Sequence, residues 1–342
     1  MFYVGLDIHS KFIQVCVLGA DGKVVRREKP RRLDQLIWML RQIPGPFQAC
    51  YEVSCGYGRY FEVLSTISTR VVAAHPGKLR LIYRSKRKND RVDAEKLAKL
   101  LFLDLVPAVH VPAAQVRAWR ETITFRRKLV EKRTRAKNGV RALLRNVGVV
   151  PPKKPGLWSK GGLAWLKGLE FLQPMHALQR DLLVQEIETM NAQVRRVETS
   201  LAGYAKDNAA VDQLRTIPGV GLRTAEAVVA FLDDPKRFGR AKSVGCYFGL
   251  VPCQDQSGPK NRLGHITRDG SATVRQLLTE AAWQGVRRSP TIRAFFERVQ
   301  RGDPARKRIA LTATAHYLCR SMWAMLRDGT LWKETLQKTM GA

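Results

Sequence analysis

The apolar residues of this chain change period twice. From Phe2 to Glu28 they fall in short, partly alternating runs, Phe2 to Leu6, Phe12 to Leu18 and Lys23 to Glu28, with Asp21-Gly22 between the last two. That pattern predicts a three-stranded antiparallel meander. Leu33 to Gln42 then reads as an amphipathic helix through Leu36, Ile37, Met39 and Leu40, ended by Pro44-Gly45-Pro46. A strand over Gln48 to Val53, a helix over Tyr57 to Ile67, a strand over Arg70 to Ala74 and a helix over Ala94 to Leu101 follow. Three strands, then helix, strand, helix, strand and helix make an α/β domain over residues 1–107.

Beyond Pro107 and Pro112 the period becomes helical. Val116, Trp119, Ile123, Val130, Val140 and Leu144 predict one long helix from about Ala114 to Val147. Residues 149–162, rich in Pro, Gly and Lys, predict a linker. Leu183, Ile187, Met190, Val194, Val197, Leu201 and Tyr204 then step by four and three, the seam of a coiled coil or of an antiparallel pair with the 114–147 helix. An intramolecular hairpin and a dimer both satisfy that seam. Residues 108–205 are thus a basic helical and coiled-coil region, and 206–342 a further, mainly helical domain.

Charge narrows the function. Lys and Arg number 60 against 29 Asp and Glu, a formal net charge of +31. Such a chain repels itself unless a polyanion is its normal partner, and nucleic acid is the expected one. No run of eighteen apolar residues suggests a membrane span, and the cations are spread throughout. Between Arg126 and Arg145 the long helix holds nine cations, Arg126, Arg127, Lys128, Lys132, Arg133, Arg135, Lys137, Arg141 and Arg145, and one acid, Glu131. A solvated face normally mixes signs, so this helix reads as one that tracks phosphates. The six cysteines form no C-x-x-C pair, and Met1 leads straight into a strand, so they are expected to be reduced thiols of a cytoplasmic protein.

Against this background the acids stand out. Asp90 and Asp93 lie three residues apart within K-N-D-R-V-D-A, among Arg84, Lys86, Arg87, Lys88 and Arg91, on one face of a helix start. Asp7 and Glu52 each end an apolar run. Any one of them alone reads as a cap or turn residue or a partner for arginine. Taken in order, acids from two strands and an i,i+3 pair on a helix form a layout that resembles an RNase H-like nuclease, in which carboxylates hold Mg²⁺ for phosphoryl transfer.

Two stretches further on carry backbone or loop chemistry. Ile217-Pro-Gly-Val-Gly221 resembles the hairpin of a helix-hairpin-helix, where Gly219 and Gly221 let amides approach a phosphate. Between Leu250 and Ala272 some twenty polar residues predict an exposed loop with Ser257-Gly258, Lys260, Arg262, His265 and Arg268. On residue chemistry alone, Ser-Gly there is an ordinary turn.

A resemblance over nearly the whole chain changes that reading. V-G-L-D-I-H-S-K, Y-E-V-S-C-G-Y-G, A-H-P-G-K and K-N-D-R-V-D-A-E-K-L-A resemble the N-terminal domain of insertion sequence 110 family transposases. T-I-P-G-V-G, F-G-L-V-P and S-G-P-K-N-R-L-G-H-I-T-R-D-G resemble their C-terminal transposase domain. The resemblance implies a Holliday-junction-resolvase-like (RuvC-like) RNase H fold with a DEDD tetrad of Asp7, Glu52, Asp90 and Asp93 on Mg²⁺. It implies that Ser257 is the nucleophile, brought to the tetrad from the same chain or another subunit of a homo-oligomer, forming a phosphoserine link to DNA. It also implies a structured guide RNA, the bridge RNA, that pairs with donor and target DNA. A water-using resolvase and a non-catalytic nucleic-acid-binding protein are the competing classes.

Overall fold

β1 (Phe2–Ile8), β2 (Ile13–Leu18) and β3 (Val24–Glu28) pair antiparallel, as the alternation predicts. The computed structural model describes residues 1–54, 56–82, 90–258 and 260–334, and of Arg80, Leu81, Asp90 and Arg91 the backbone alone. β4 (Phe47–Glu52) and β5 (Arg70–Ala74) join in parallel, giving a five-stranded mixed sheet of order β3-β2-β1-β4-β5. Parallel neighbours need crossovers. α1 (Leu33–Leu40) belongs to the first and α2 (Tyr57–Ser65) makes the second, while α3 (Pro76–Ile82), unforeseen in the sequence, follows β5 with proline at its first position.

Alternation along the strands gives the sheet two buried faces. On one, Val4, Leu6, Val15, Val17 and Tyr51 pack with Leu36, Met39 and Leu40 of α1 and Leu64 of α2. On the other lies α4 (Asp90–Phe102), whose Leu97, Leu100 and Leu101 pack with Cys50 and Val72, and whose Ala94 and Ala98 pack with Cys16 and Leu18. Gly5 sets how close this helix comes. A Cβ there would lie 2.1 Å from the Ala94 carbonyl oxygen and 2.5 Å from the Ala98 amide nitrogen, so helix backbone rests on strand backbone. The Tyr3 ring meets Phe102 edge-on at 5.2 Å. With Tyr3 at the end of α4 and Gly5 beneath its middle, α4 runs antiparallel to β1, and its first turn comes to the carboxyl end of that strand.

The chain divides into two compact units, Met1–Arg117 and Ala118–Ala342. The helical part begins with α5 (Ala114–Asn146), followed by α6 (Lys160–Lys167) and α7 (Pro174–Ala205). α6 starts inside the expected linker because Ser159 caps it, its side chain accepting from the Gly162 amide at 3.1 Å. α5 and α7 pair antiparallel within the chain. Trp119 stacks on Tyr204, Arg126 reaches Glu198, Arg133 reaches Asn191, and Gly139 faces Leu183. The seam left open by the sequence is thus closed by the chain itself, with Val184 and Ile187 against Ala136, Val140 and Leu144. Leu129, not Val130, is the buried residue of α5 midway, since the two neighbours straddle the edge of the buried stripe.

A second core unites α8 (Ala209–Arg215), α9 (Leu222–Leu232), α10 (Ala241–Tyr247), α11 (Ala272–Arg288), α12 (Pro290–Gln300) and α13 (Lys307–Asp328) around Phe248, Leu278, Met322 and Trp323. The expected loop between α10 and α11 is instead a two-stranded antiparallel hairpin, β6 (Pro252–Ser257) and β7 (Lys260–Ile266). It gave no alternating signal because nearly every residue of both strands is exposed, Leu263 included. An α/β sheet domain followed by a mainly helical region is therefore the architecture, and among the described residues no helix is long and apolar enough to cross a membrane.

Candidate active site and nucleic-acid surface

Register decides which face each acid takes. Leu6 of β1 pairs with Tyr51 of β4, so Asp7 and Glu52 are the next residues along two neighbouring parallel strands. Asp7 is two residues past Gly5 and Glu52 two past Cys50, and both of those face α4. Asp7 and Glu52 therefore take the α4 side of the sheet at the carboxyl ends of its strands, the place where open α/β sheets bind their ligands. Asp7 was expected just beyond its strand. It lies inside β1, because the ladder to β2 continues through Asp7 opposite Gln14 and Ile8 opposite Ile13 after the ladder to β4 has stopped.

The helix supplies the other pair. α4 begins at Asp90, four residues earlier than the apolar pattern indicated, so Asp90 and Asp93 both occupy its first turn. Negative charge there is favoured by the helix dipole. The antiparallel run of α4 over β1 carries this turn toward Asp7. Arg84, Lys86, Arg87 and Lys88 lie outside the described residues, as do the side chains of Asp90 and Arg91. The carboxylates already have side-chain partners. His9 Nε2 lies 3.0 Å from Asp7 Oδ2, and Lys96 Nζ donates to Asp93 Oδ1 at 2.9 Å. His9 follows Asp7 by the two residues that keep a strand face; Lys96, which did not stand out in the sequence, follows Asp93 by the three that keep a helix face. Among the described residues no three acid, imidazole or thiol side chains are close enough to share an ion. As donors, carboxylates on two strand ends and a helix start are the hard oxygen ligands that suit Mg²⁺.

Ser257 ends β6 at the tip of the exposed hairpin, paired with Lys260 across a turn in which Gly258 has φ +55°. The positive φ explains the glycine. Lys260 and Arg262 on β7 and Arg268 beyond it are all exposed. The hairpin is held by its ladder and by Gln254, whose amide donates to Gln256 on its own strand and to Asn261 on the facing one, both at 3.1 Å.

The α5 cations sort by face. Arg126 pairs with Glu198 at 2.6 Å, Arg127 with Glu131 at 2.7 Å, and Arg133 donates to Asn191 at 3.0 Å. Lys137 and Arg141 lie over the Trp158 ring, and burial, with Arg133 and Arg141 nearby, pulls the Lys137 ammonium below its usual range. Lys128, Lys132 and Arg135 point the opposite way, exposed and without an ion pair among the described residues. In the α8–α9 connection, Gly219 has φ +96°, and a Cβ there would lie 2.5 Å from the Gly285 amide of α11. Close packing accounts for this glycine. Gly221, which begins α9 without a capping side chain, has open space where a Cβ would be.

Residues 4–149 match a family model for transposases of the DEDD type, and residues 211–297 match the model described as Transposase IS116/IS110/IS902 family. A probable family 20 transposase of Pseudomonas aeruginosa is 27% identical over 96% of this chain and 98% of its own length. The transposase of insertion element IS1328 from Yersinia enterocolitica is 25% identical over 97% and 98%, and that of IS1111A from Coxiella burnetii 26% identical over 82% and 76%. An α/β domain with acids at its strand ends, joined to a basic helical region and matched in this order, defines a DNA transposase of an insertion sequence. The chain belongs to the IS110 family of transposases.

Proposed function

We propose that this transposase cuts and rejoins DNA through a serine-linked intermediate, with Asp7, Glu52, Asp90 and Asp93 holding Mg²⁺ in an RNase H-like domain and Ser257 as nucleophile. The observation that carries the carboxylate site is the antiparallel run of α4 over β1, which sends the turn holding Asp90 and Asp93 toward the strand ends holding Asp7 and Glu52. When bound, Mg²⁺ supplies Lewis-acid stabilisation of charge on phosphate oxygens. Ser257 Oγ loses its proton and attacks phosphorus, the bond to one deoxyribose oxygen breaks, and that oxygen takes up a proton. The phosphodiester now joins serine to DNA. A DNA hydroxyl attacks it in turn and releases Ser257, so the bond energy is kept for rejoining, which hydrolysis would forfeit. The exposed tip position of Ser257 and its cross-strand neighbour Lys260, a cation suited to a phosphate oxygen, support this role.

In this reading the three parts of the chain divide the labour. Residues 1–107 hold the metal, 108–205 hold nucleic acid through the outward cations of α5, and 206–342 present the serine hairpin, with Lys260, Arg262, Arg268 and the amides near Gly221 against phosphates. A structured guide RNA pairs with donor and target DNA and chooses the sequence. The uncompensated charge supports a large polyanionic load.

The test is a denaturing gel of wild type and Ser257→Ala with labelled substrate DNA, Mg²⁺ and RNA transcribed from the flanks of the gene, each also run without RNA. A protein–DNA adduct that requires Ser257 and the RNA is expected. Cleavage that survives the alanine without any adduct means a water-using nuclease, and an adduct formed equally without RNA removes the guide.

A further inference from the structure

The end of α11 and the start of α13 form a surface for which the hairpin, the carboxylates and α5 have no use. Trp283 on α11 has two cations against its ring, with the Arg287 guanidinium 5.0 Å and the Lys307 ammonium 4.8 Å from the ring centroid. Arg288 and Arg308 follow these in sequence, and all four cations are exposed. Their helix ends are fixed by other arginines. Arg293 donates to the carbonyls of Val286 and Arg287, capping α11, and Arg306 donates to that of Val299, capping α12. One pair of arginines thus builds the scaffold, and four cations beside it are left to solvent.

No carboxylate balances them. Among the described residues none of Arg287, Arg288, Lys307 or Arg308 has an acid within 4 Å. The nearby acids are occupied otherwise. Asp303 accepts from the Ala305 amide at 2.8 Å, and Glu334 accepts from Ser289 Oγ at 2.9 Å and from the Thr291 amide at 3.2 Å. Glu297, on α12, makes no ion pair with them either. Four like charges on two rigid helix ends repel one another and call for an anionic partner with several charges at close spacing.

Trp283 tells which kind of polyanion fits. An unpaired base needs a free aromatic face to stack on. Here Arg287 and Lys307 lie against the ring, and it is half-buried. The surface therefore offers charge and no stacking platform, which suits a strand whose bases are already turned inward. We infer that Arg287, Arg288, Lys307 and Arg308 form a docking surface for the phosphate backbone of duplex DNA, separate from the serine hairpin. The ring's part is to hold two of the four cations in place. This inference rests on the transposase reading and assigns one of its DNA contacts.

The full chain is titrated against a fluorescein-labelled 30-bp DNA duplex and, separately, against a labelled structured RNA from the gene's flank, at several salt concentrations. The variant Arg287→Gln/Arg288→Gln/Lys307→Gln/Arg308→Gln is compared with a charge-matched control, Arg195→Gln/Arg196→Gln/Lys206→Gln/Arg215→Gln. Duplex affinity is expected to fall about tenfold or more in the patch variant alone, and the slope of log affinity on log salt to lose about 3. Losses equal to those of the control overturn the assignment, as does a loss seen on RNA but not on duplex DNA. Wild-type protein that binds neither would instead undo the transposase reading itself. If the fourfold variant does not fold, Lys307→Gln/Arg308→Gln in the exposed first turn of α13 is expected to take about half the slope change, and an unchanged slope overturns the assignment.

Discussion

The first unit and the stretch 236–326 carry positive charge in different ways. In the first unit several cations are matched by acids, Arg27 with Glu95 at 2.6 Å and Arg70 with Asp104 at 2.7 Å across the fold, Lys99 with Glu95 at 2.7 Å and Arg26 with Glu28 at 2.9 Å within single elements. Residues 236–326 hold seventeen Lys and Arg against five Asp and Glu, and among the described residues none of those cations forms an ion pair. Several donate to carbonyls instead, as Arg237 does to Leu232 and Arg275 to Phe248. Exposed ion pairs add little stability, so the contrast is not one of folding energy. It separates charge consumed within the molecule from charge left available to a partner.

The acids of the first unit break that division if they too serve only as ion-pair partners. Asp7→Asn and Asp93→Asn are expected to lower DNA strand cleavage about a thousandfold, with unfolding midpoints nearly unchanged because the amides keep the shape. Cleavage that persists in both would reduce these acids to partners of His9 and Lys96. The seat of α4 is tested next. Gly5→Leu drives a side chain into the backbone at Ala94 and Ala98, and about 3 kcal/mol of stability should be lost in urea unfolding, with cleavage lost alongside. An unshifted midpoint would mean that the helix does not rest on β1, and the carboxylate site would lose its geometry.

Just ahead of the unpaired stretch sits its counterexample. Glu226 on α9 is 1% exposed and accepts from Arg223 at 2.8 Å through both oxygens. Burial pushes its carboxyl up to about 7, with Arg223 and Arg126 pulling the other way. Native Glu226 thus keeps its proton to a higher pH than the unfolded chain, whose carboxyl titrates near 4.5. Stability should therefore fall as pH rises from about 4.5 to about 7 and level off above, by up to about 3 kcal/mol. Glu226→Gln should flatten that part of the profile. A slope that survives the substitution would place the titrating group elsewhere.

How far these features could be read in the sequence follows from what each depends on. Strands β1 to β5 announce themselves through alternation and Gly or Pro punctuation, and the α5–α7 seam through its heptads. The acids are visible because Asp7, Glu52, Asp90 and Asp93 interrupt apolar or basic runs. The direction of α4 over β1 was not visible, since it depends on Gly5 and on Tyr3 meeting Phe102, contacts distant in sequence. The serine hairpin was hidden because a strand exposed on both faces has no buried side to impose a period. The patch at Arg287 and Lys307 was hidden because its halves lie on different helices, and only the fold brings Lys307 to Trp283.

The smallest expected effect is also the sharpest use of the comparison, because α5 holds both kinds of cation on one helix. Arg126 and Arg133 face α7 and are bound to Glu198 and Asn191. Lys128, Lys132 and Arg135, at steps of four and three, form a stripe on the opposite face. If charge is divided by face, Lys128→Gln/Lys132→Gln/Arg135→Gln should weaken nucleic-acid binding and flatten its salt dependence by about 2 to 3 in log–log slope, while the unfolding midpoint stays put. Arg126→Gln/Arg133→Gln should do the reverse, lowering stability by about 1 kcal/mol, since each removes a partly buried partner of α7, with a smaller change in the salt slope. Equal slope changes from the two variants would mean that α5 attracts nucleic acid only through its total charge, and the division by face would hold for the fold but not for binding.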